Sequence, residues 1–457
     1  MKSGTEPWRF RILYWFYYRG AATQYWLNRR IRPAGIAALI ITSIGSFMSV
    51  GQPKNSVFQF FCFSLGLVII TLLWTLFRSG KVSAKIDIPK YGTVDEMLHY
   101  SVTVSHPNGR KLSGFALLQT PPDPRPTLSE FSQIIEPGEA QRNPFDRMMA
   151  YYRWQWLLSR NRGFTNTESD FPINLPADKE KPVSMSLTPL KRGVFMLENL
   201  RLLLPDPLGF FQKCKPVSSP SARLIVLPKR YRLPHIEMPG SAAFRIGGEE
   251  TSNAIGNSGE FVSLREYRFG DSIKQIHWKS WAHTGKPMVK ELEDTFYPRY
   301  ALVLDTFPGS PDPMVFEKMI STASSFVIGL DRDQTLLDLM FIAGEAHMVT
   351  AGRDFERTEK LLEVLAGVSQ KKNTDFDSLS SSVIRHRTKI TSCLLILNGW
   401  DETRRAFLEK LQHASVLCVP LIIGSGSKPD NISGHWIDSD QIERDLLRLP
   451  SQLPATT

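Results

Sequence analysis

Cysteine is scarce in this chain. Its 457 residues include four cysteines, and no two of them are spaced as the Cys-x-x-Cys pairs that bind zinc or form redox sites. Cys62 lies in a long apolar run, and Cys214, Cys393 and Cys418 are widely separated. This pattern excludes a disulfide framework and a structural zinc site, and it is typical of a protein in a reducing compartment.

Several short motifs of catalysis and nucleotide binding are also missing. The sequence has no Gly-x-x-x-x-Gly-Lys-[Ser/Thr] phosphate loop, no Gly-x-Ser-x-Gly turn and no His-Glu-x-x-His motif. His277 and His283 have no third candidate ligand beside them in the sequence, so a metal site is not expected there. We therefore predict a protein with no cofactor, no bound metal and no catalytic residue.

Charge is absent from two stretches near the N-terminus, residues 33–50 and 57–77. An apolar helix of about 20 residues spans the hydrocarbon core of a bilayer, a length that the second stretch meets and the first only just reaches. The pattern predicts a two-helix transmembrane hairpin over 33–78. A buried core helix is the alternative, and a cleaved signal peptide fits less well because its apolar region is shorter and nearer the start.

Basic residues flank this hairpin on both sides, whereas the loop between its helices contains Lys54 alone. The flanking positions are Lys2, Arg9, Arg11, Arg19, Arg29, Arg30, Arg32, Arg78, Lys81, Lys85 and Lys90. Because basic loops stay in the cytoplasm, we predict a two-pass protein of the inner (plasma) membrane with its soluble domains facing the cytoplasm. These flanks carry most of the net charge of +10, so the soluble part is nearly balanced and no nucleic-acid partner is expected.

Residues 1–32 form a basic and aromatic segment before the first apolar stretch. Its aromatic residues are Trp8, Phe10, Tyr14, Trp15, Phe16, Tyr17, Tyr18, Tyr25 and Trp26. Base stacking on aromatic rings could produce such a mixture, but beside a membrane span it favours the lipid headgroup region. We predict an interfacial segment whose partner is the lipid bilayer.

Short apolar–polar alternation, broken by proline and glycine, runs over residues 82–235. This period of two predicts strands, with examples at 83–88 and 98–106, and several such strands predict a β-sandwich-like domain. An insertion at about 121–180 interrupts the alternation. Its helical stretch at 145–160 could lie on the membrane surface or cap the sandwich.

Apolar strands alternate with amphipathic helices over residues 297–425. Strands are predicted at 300–305, 336–342, 392–398 and 416–423. This alternation predicts an α/β, Rossmann-like domain with a parallel sheet covered on both faces. Residues 426–457 are polar, and we interpret them as a loose tail with a short helix at 441–449.

The densest charged cluster lies at 259–282, within a segment that spans 236–296. The charged members are Glu260, Arg265, Glu266, Arg268, Asp271, Lys274, His277 and Lys279. Such charges could serve acid–base catalysis. Arginines and carboxylates in nearly equal number more often form ion pairs that fix a loop against a domain.

This cluster closely resembles the signature of the family catalogued as domain of unknown function 58. In that family, Gly-x-Glu-Phe, Leu-Arg-x-Tyr, Gly-Asp and Ile-His-Trp-Lys precede a domain similar to von Willebrand factor type A. The matching positions include Glu260, Arg265, Tyr267, Gly270, Asp271, His277, Trp278 and Lys279. Upstream, residues 191–212 resemble the family's Arg-Gly strand pair and Asp-Pro-x-Gly. The resemblance implies a multidomain protein with a transmembrane hairpin, a β domain and a type A-like domain, joined by these signature residues.

Type A domains carry a metal-ion-dependent adhesion site, Asp-x-Ser-x-Ser, after their first strand. Asp305 takes the Asp position here, but Phe307 and Gly309 take the two serine positions. Neither residue supplies the side-chain oxygen that a hard cation needs, so Asp305 is predicted to mark a degenerate site. A haloacid-dehalogenase-type phosphatase would need a second Asp at the position of Phe307.

The resemblance also implies a function. Members of the family resemble companions of MoxR-type AAA+ ATPases and transglutaminase-like membrane proteins, which implies a non-catalytic membrane-anchored scaffold or adaptor. A hydrolase with its site in 259–282 is the alternative. A membrane-proximal nucleic-acid binder is a third reading, which the balanced soluble charge disfavours.

Overall fold

The protein contains helices and several mixed sheets, as seen in a computed structural model. The described residues are 8–49, 56–106, 111–177, 179–234, 236, 238–239, 260–293, 299–309, 312–331, 336–342, 346–351, 355–370, 376–387, 390–426, 428–429 and 432–450. They fall into two compact units, which divide between Lys229 and Arg230.

Three long helices open the first unit: α1 (Trp8–Asn28), α2 (Pro33–Ser49) and α3 (Ser56–Phe77). Helices α2 and α3 pack against each other, and Gly45 lies against the Phe61 side chain. Helix α3 is long and apolar enough to cross a membrane, whereas α2 has 17 residues. Most large apolar side chains of both helices are exposed, a surface that water does not favour.

Four strands and three short helices follow. The strands are β1 (Ser83–Asp87), β2 (Tyr91–Thr93), β3 (Leu98–Ser105) and β4 (Leu112–Gln119). The helices of the insertion are α4 (Leu128–Gln133), α5 (Pro144–Met149) and α6 (Tyr151–Asn161). Thr127 begins α4 with a capping box: its hydroxyl accepts from the Glu130 N–H, and the Glu130 carboxylate accepts from the Thr127 N–H.

Seven more strands complete the β-rich part of the first unit. They are β5 (Thr167–Glu168), β6 (Ile173–Leu175), β7 (Lys181–Leu187), β8 (Gly193–Leu197), β9 (Leu200–Pro205), β10 (Gln212–Pro216) and β11 (Ala222–Leu227). The sheets have the orders β1-β3-β7, β2-β11-β8 and β10-β9-β4-β5, with β6 also paired to β4. Alternate side chains, such as Val102, Phe115 and Leu224, meet in one buried core.

The end of α3 is fixed to these sheets by cations. Arg78 donates to the carbonyl oxygens of Ser113 and Gly114, each at 2.7 Å, and Lys213 donates to the carbonyl oxygen of Leu76 at 2.9 Å. Positive charge at a helix C-terminus is favoured because unpaired carbonyls point there. The apolar hairpin is therefore attached at its base to β4 and β10.

The insertion packs on α1, a contact that neither alternative from the sequence included. Phe131 and Trp154 are buried with Tyr17, and the Tyr17 hydroxyl donates to the Met149 carbonyl oxygen at 2.9 Å. Exposed aromatics such as Trp15 lie on other parts of the same helix. The aromatic residues predicted to lie at an interface thus divide between a small helical core and an exposed face.

The second unit opens with strands β12 (Glu260–Glu266) and β13 (Met288–Glu293), which enclose helix α7 (Trp278–Thr284). A six-stranded sheet follows. Its strands are β14 (Arg299–Leu304), β15 (Leu336–Ile342), β16 (Ala346–Ala351), β17 (Ser392–Asn398), β18 (Cys418–Gly424) and β19 (His435–Asp438). The order is β16-β15-β14-β17-β18-β19, parallel throughout except for β16 at one edge.

Five helices accompany this sheet: α8 (Pro313–Asp331), α9 (Phe355–Gly367), α10 (Phe376–Arg385), α11 (Glu402–His413) and α12 (Ile442–Leu447). Strands β17 and β18 are buried throughout, and β14 is buried after its first residue, as parallel strands covered by helices require. The chain passes from β14 through α8 to β15 on one side, and it later returns to β17 on the other. The strand order therefore changes direction between β14 and β17.

The prediction of a loose tail from residue 426 is wrong in part. His435–Asp438 pairs in parallel with β18 as the edge strand β19, and Ile442 and Leu446 of α12 are buried. The Asp438 N–H donates to the Asp445 carboxylate at 3.0 Å, which ties the strand to the helix. The strand was missed because it has only four residues, of which His435 and Asp438 are polar.

Candidate functional site

Asp305 lies at the end of β14, and Asn398 is the last residue of the neighbouring β17. The strand order changes direction between these two strands. In open α/β sheets, ligands bind at the carboxyl ends of the strands on either side of such a point. This strand-end crevice is therefore the expected ligand-binding position of the second unit.

A buried ion pair fills the crevice. Arg404, from the first turn of α11, donates through Nε to Asp305 Oδ2 at 2.7 Å, and its side chain is 1% exposed. The Asn398 N–H donates to the same oxygen at 2.9 Å, and the Phe307 N–H donates to Oδ1 at 2.9 Å. Complete burial raises the pKa of Asp305, whereas Arg404 and these two N–H groups act in the opposite direction.

The two positions where an adhesion site would have serines have structural roles here. Phe307 is buried, with its ring centroid 4.6 Å from that of Phe376. At Gly309, an added Cβ would lie 1.8 Å from the Asn398 carbonyl oxygen, so a serine does not fit. The guanidinium of Arg404 provides the positive charge beside Asp305 that a metal ion would provide in an adhesion site.

We expect no divalent cation to bind at Asp305 more tightly than about millimolar, because both carboxylate oxygens already accept hydrogen bonds and neither Phe307 nor Gly309 supplies a hydroxyl. Calorimetric titration of the detergent-solubilised chain with Mg²⁺ or Mn²⁺ tests this. Submicromolar binding that disappears in Asp305→Asn would show that the site is intact. Across the described residues, no three His, Cys, Asp or Glu side chains form a metal-ligand set.

Sequence reasoning missed Arg404, although a signal was present. Positions 404, 407, 408 and 411 share one helical face, and Arg404 is buried together with Phe407, Leu408 and Leu411. The Asp401 carboxylate caps the helix by accepting from the Arg404 N–H at 2.9 Å. The guanidinium also donates to the Pro308 carbonyl oxygen at 3.0 Å, so it joins α11 to the loop after β14.

The signature residues form a compact antiparallel hairpin, which we call the signature hairpin (residues 260–293). Strand β12 pairs with β13 so that Glu260 lies opposite Glu293 and Arg265 opposite Val289. A short 3₁₀ turn (Ile273–Gln275) and α7 connect the strands. Gly259, the first residue of the motif, lies outside the described residues.

Asp271 holds the tip of this hairpin together. Its two carboxylate oxygens accept from both terminal nitrogens of Arg265 at 2.7 Å each, and from the Arg268 N–H at 2.7 Å. These bonds lower the pKa of Asp271 to about 2. The turn also needs Gly270, which has φ of +108°, and the Tyr267 N–H donates to the Pro287 carbonyl oxygen at 2.9 Å.

We expect the stabilising effect of Asp271 to be lost in acid. Its folded-state pKa lies below the ordinary value of 3.8, so its contribution is present above about pH 4 and disappears as the pH falls to about 2. The difference in melting temperature between the wild type and Asp271→Asn should therefore shrink over that window. Asp377→Asn, at a 91% exposed carboxylate, is the matched control. A difference that is independent of pH would contradict this role.

His277 immediately precedes α7, and its side chain contacts the first turn of that helix. Its backbone N–H donates to the Met288 carbonyl oxygen at 2.8 Å, and its Nδ1 lies 2.7 Å from Ser280 Oγ. A serine and a histidine within hydrogen-bond distance also occur in nucleophilic triads, where a third group orients the histidine. For the described residues, the structure gives His277 no bond to a carboxylate that would orient the ring.

Apolar side chains project from the signature hairpin into solvent. Phe269 is fully exposed, Ile273 is 68% exposed and Trp278 is 60% exposed, with the Trp278 ring stacked on Trp281 at 5.3 Å between centroids. An exposed cation adjoins each of them in the sequence: Arg268, Lys274 and Lys279. Exposed aromatic and aliphatic side chains with charged neighbours are typical of a protein-binding surface.

No protein-family model and no curated protein matches this chain. Among solved structures, two of a CARDB domain from Pyrococcus furiosus are 10% and 11% identical, cover 33% and 32% of this chain and 97% and 91% of that domain, and have TM-scores of 0.16 and 0.14. A GH20 exo-β-N-acetylglucosaminidase from Vibrio harveyi is 8% identical, covering 80% of this chain and 59% of that enzyme, with a TM-score of 0.15. Scores this low carry no argument about function.

Proposed function

We propose that this protein is a non-catalytic, membrane-anchored scaffold of the kind found in the domain of unknown function 58 family, with a von Willebrand factor type A-like second unit. The observation that carries the proposal is the Asp305–Arg404 pair. In this pair, the Arg404 side chain occupies the strand-end crevice where a ligand would otherwise bind. An α/β unit whose crevice is filled in this way can bind a partner only through its outer surfaces.

The signature hairpin is the proposed docking surface. Its exposed apolar residues, Phe269, Ile273 and Trp278, are the kind that anchor protein interfaces. The exposed Arg268, Lys274 and Lys279, which adjoin these residues in the sequence, favour an acidic surface on the partner. The family resemblance supports a MoxR-type AAA+ ATPase as that partner, and a transglutaminase-like membrane protein as a second member of the assembly.

The test is co-purification of a Walker-motif ATPase, identified by mass spectrometry, with the full chain from solubilised membranes. Ile273→Ser and Trp278→Ser should each lose the ATPase while keeping the wild-type melting temperature, because both side chains are largely exposed. Leu447→Ser, at a 55% exposed apolar residue outside the hairpin, should retain it. Equal recovery with all three variants would overturn the proposed surface.

The membrane anchor is proposed to have two passes with both ends in the cytoplasm. Support comes from the apolar α3, from the packing of α2 against it, and from the basic residues that flank the pair. We expect a reporter that works only in the cytoplasm to be active when fused after Lys90. A reporter that works only outside the cytoplasm should be active in the loop near Lys54, and the reverse pattern would contradict the orientation.

A hydrolase is the second candidate, and the distance of 2.7 Å between His277 Nδ1 and Ser280 Oγ is the observation in its favour. A local contact between side chains one helical turn apart explains the same distance, since His277 is the residue before α7 and Ser280 is its third residue. The two functions differ in what Ser280→Ala does. It should abolish the activity of a hydrolase and leave a scaffold intact.

A further inference from the structure

A cavity of about 410 Å³ lies in the first unit, beside the end of α1. The start of the insertion and strands β9 and β10 form its other walls. Its lining is dominated by arginine, with a single carboxylate. The charged lining residues are Arg29, Arg30, Arg125, Arg162, Arg201 and Asp123.

Among the described residues, this carboxylate forms an ion pair with one of these cations, Arg125. Arg125 donates through Nε to Asp123 Oδ1 at 2.9 Å, and its guanidinium lies 3.9 Å from the centroid of the Tyr18 ring. Within the described part of the chain, none of the other four arginines forms an ion pair with a carboxylate. The cavity therefore has a large excess of positive charge.

Two of these arginines, Arg201 and Arg29, are in an environment that is unfavourable for a cation. The Nε of Arg201 is buried and has no hydrogen-bond partner among the described residues, and a buried donor without a partner is unfavourable. Burial, and then the charge of Arg201, lower the pKa of Arg29. An anion between these two side chains would relieve both costs.

We propose that this cavity binds a phosphate-type anion, either the headgroup of an acidic phospholipid or the phosphate of a soluble compound. Guanidinium groups match the oxygens of phosphate in pairs, and several converge here from α1, the insertion and β9. Thr120, Asn166 and Asn199 add neutral polar groups to the lining. Nothing in the proposed docking function requires this site.

The cavity lies close in sequence to the apolar helix α2, so a phospholipid is one source of the anion. Arg30 is three residues before Pro33, the first residue of the apolar α2. Trp26, whose ring centroid is 4.4 Å from the Arg30 guanidinium carbon, forms part of the wall. Tryptophan and arginine together are frequent where a helix meets lipid headgroups.

The experiment titrates the full chain, in an uncharged maltoside detergent, with inorganic phosphate and separately with short-chain dioctanoyl-phosphatidylglycerol. Arg201→Gln should weaken binding by about tenfold or more, because it removes a charge-assisted contact. Arg147→Gln, at an exposed arginine of α5 outside the cavity, is the matched control and should bind as the wild type does. Arg29→Gln provides a second test if Arg201→Gln fails to fold.

The two probes separate the sources. Lipid binding that phosphate does not displace identifies a phospholipid headgroup, and phosphate binding without lipid binding identifies a soluble ligand. In either case the bound anion should raise the melting temperature of the wild type and not that of Arg201→Gln. The proposal is overturned if neither probe binds, or if Arg201→Gln and Arg147→Gln weaken binding equally.

Discussion

Replacement of Arg404 by methionine should destabilise the second unit by about 3–5 kcal/mol, the usual cost of removing one partner of a buried ion pair. Asp305 is 0% exposed, and its only described cationic partner is Arg404. Without Arg404, the carboxylate must either stay charged in a dry environment or take up a proton. Both outcomes weaken the junction of β14, β17 and α11.

Hydrogen exchange in the solubilised full chain measures this effect locally. Protection of the amides of β14 and β17 should fall by about two to three and a half orders of magnitude, since 1.4 kcal/mol is tenfold. The neighbouring Arg405→Met is the matched control, because Arg405 is 56% exposed and pairs with the exposed Glu409. Surface pairs of that kind contribute about 0–1 kcal/mol.

The double variant Asp305→Leu with Arg404→Met makes the test sharper. If Arg404→Met loses amide protection because the Asp305 charge is uncompensated, removal of both charges should restore much of that protection. A loss in Arg404→Met no larger than that in Arg405→Met would mean that the pair does not hold the crevice closed. That result would remove the main support for a non-catalytic second unit.

The second large effect is expected in the helical core that joins α1 to the insertion. Phe131 is fully buried, with ring centroids 5.8 Å from Phe10 and 5.7 Å from Trp154. Phe131→Ala should cost about 3–5 kcal/mol, as truncation of a buried phenylalanine does in a close-packed core. Phe145→Ala is the matched control, because Phe145 lies in the same insertion and is 65% exposed.

Limited proteolysis of the solubilised chain reads out this difference. In Phe131→Ala, bonds within residues 128–161 should be cut much faster than in the wild type, because cleavage follows the population of the opened state. Phe145→Ala should be cut at the wild-type rate. If both variants resisted protease equally, the insertion would not depend on its contact with α1.

Continuous apolar runs were the most informative part of the sequence. The strands predicted at 336–342 and 392–398 have those bounds in the structure. Buried parallel strands are recognisable from sequence because a short continuous run of β-branched or aliphatic residues is sufficient to form them. The place of Asp305 at a strand end followed from the same pattern. Its partner Arg404 was missed, because an arginine in the first turn of a helix is usually exposed, although its position on the face of Phe407, Leu408 and Leu411 indicated burial.

Long-range contacts account for the rest of what was missed. The packing of Trp154 on Tyr17 of α1 depends on segments far apart in the chain, and the pairing of Arg153 with Glu139, at 2.8 Å from Nε to Oε2, depends on how the helices of the insertion fold together. An aromatic and basic composition fits a membrane surface and a small core equally well. The antiparallel edge strand β16 and helix α10 were also not predicted.

The central claim is that the signature hairpin binds a partner and catalyses nothing. Complementation of a strain that lacks this protein, scored by the phenotype of the deletion, tests it most directly with two variants. Ser280→Ala removes the candidate nucleophile and keeps Ile273 and Trp278 exposed, so it should restore the wild-type phenotype. Ile273→Ser with Trp278→Ser keeps the contact between His277 and Ser280, and it should fail although the protein is folded. Failure of Ser280→Ala together with success of the double variant would contradict the scaffold and establish an enzyme.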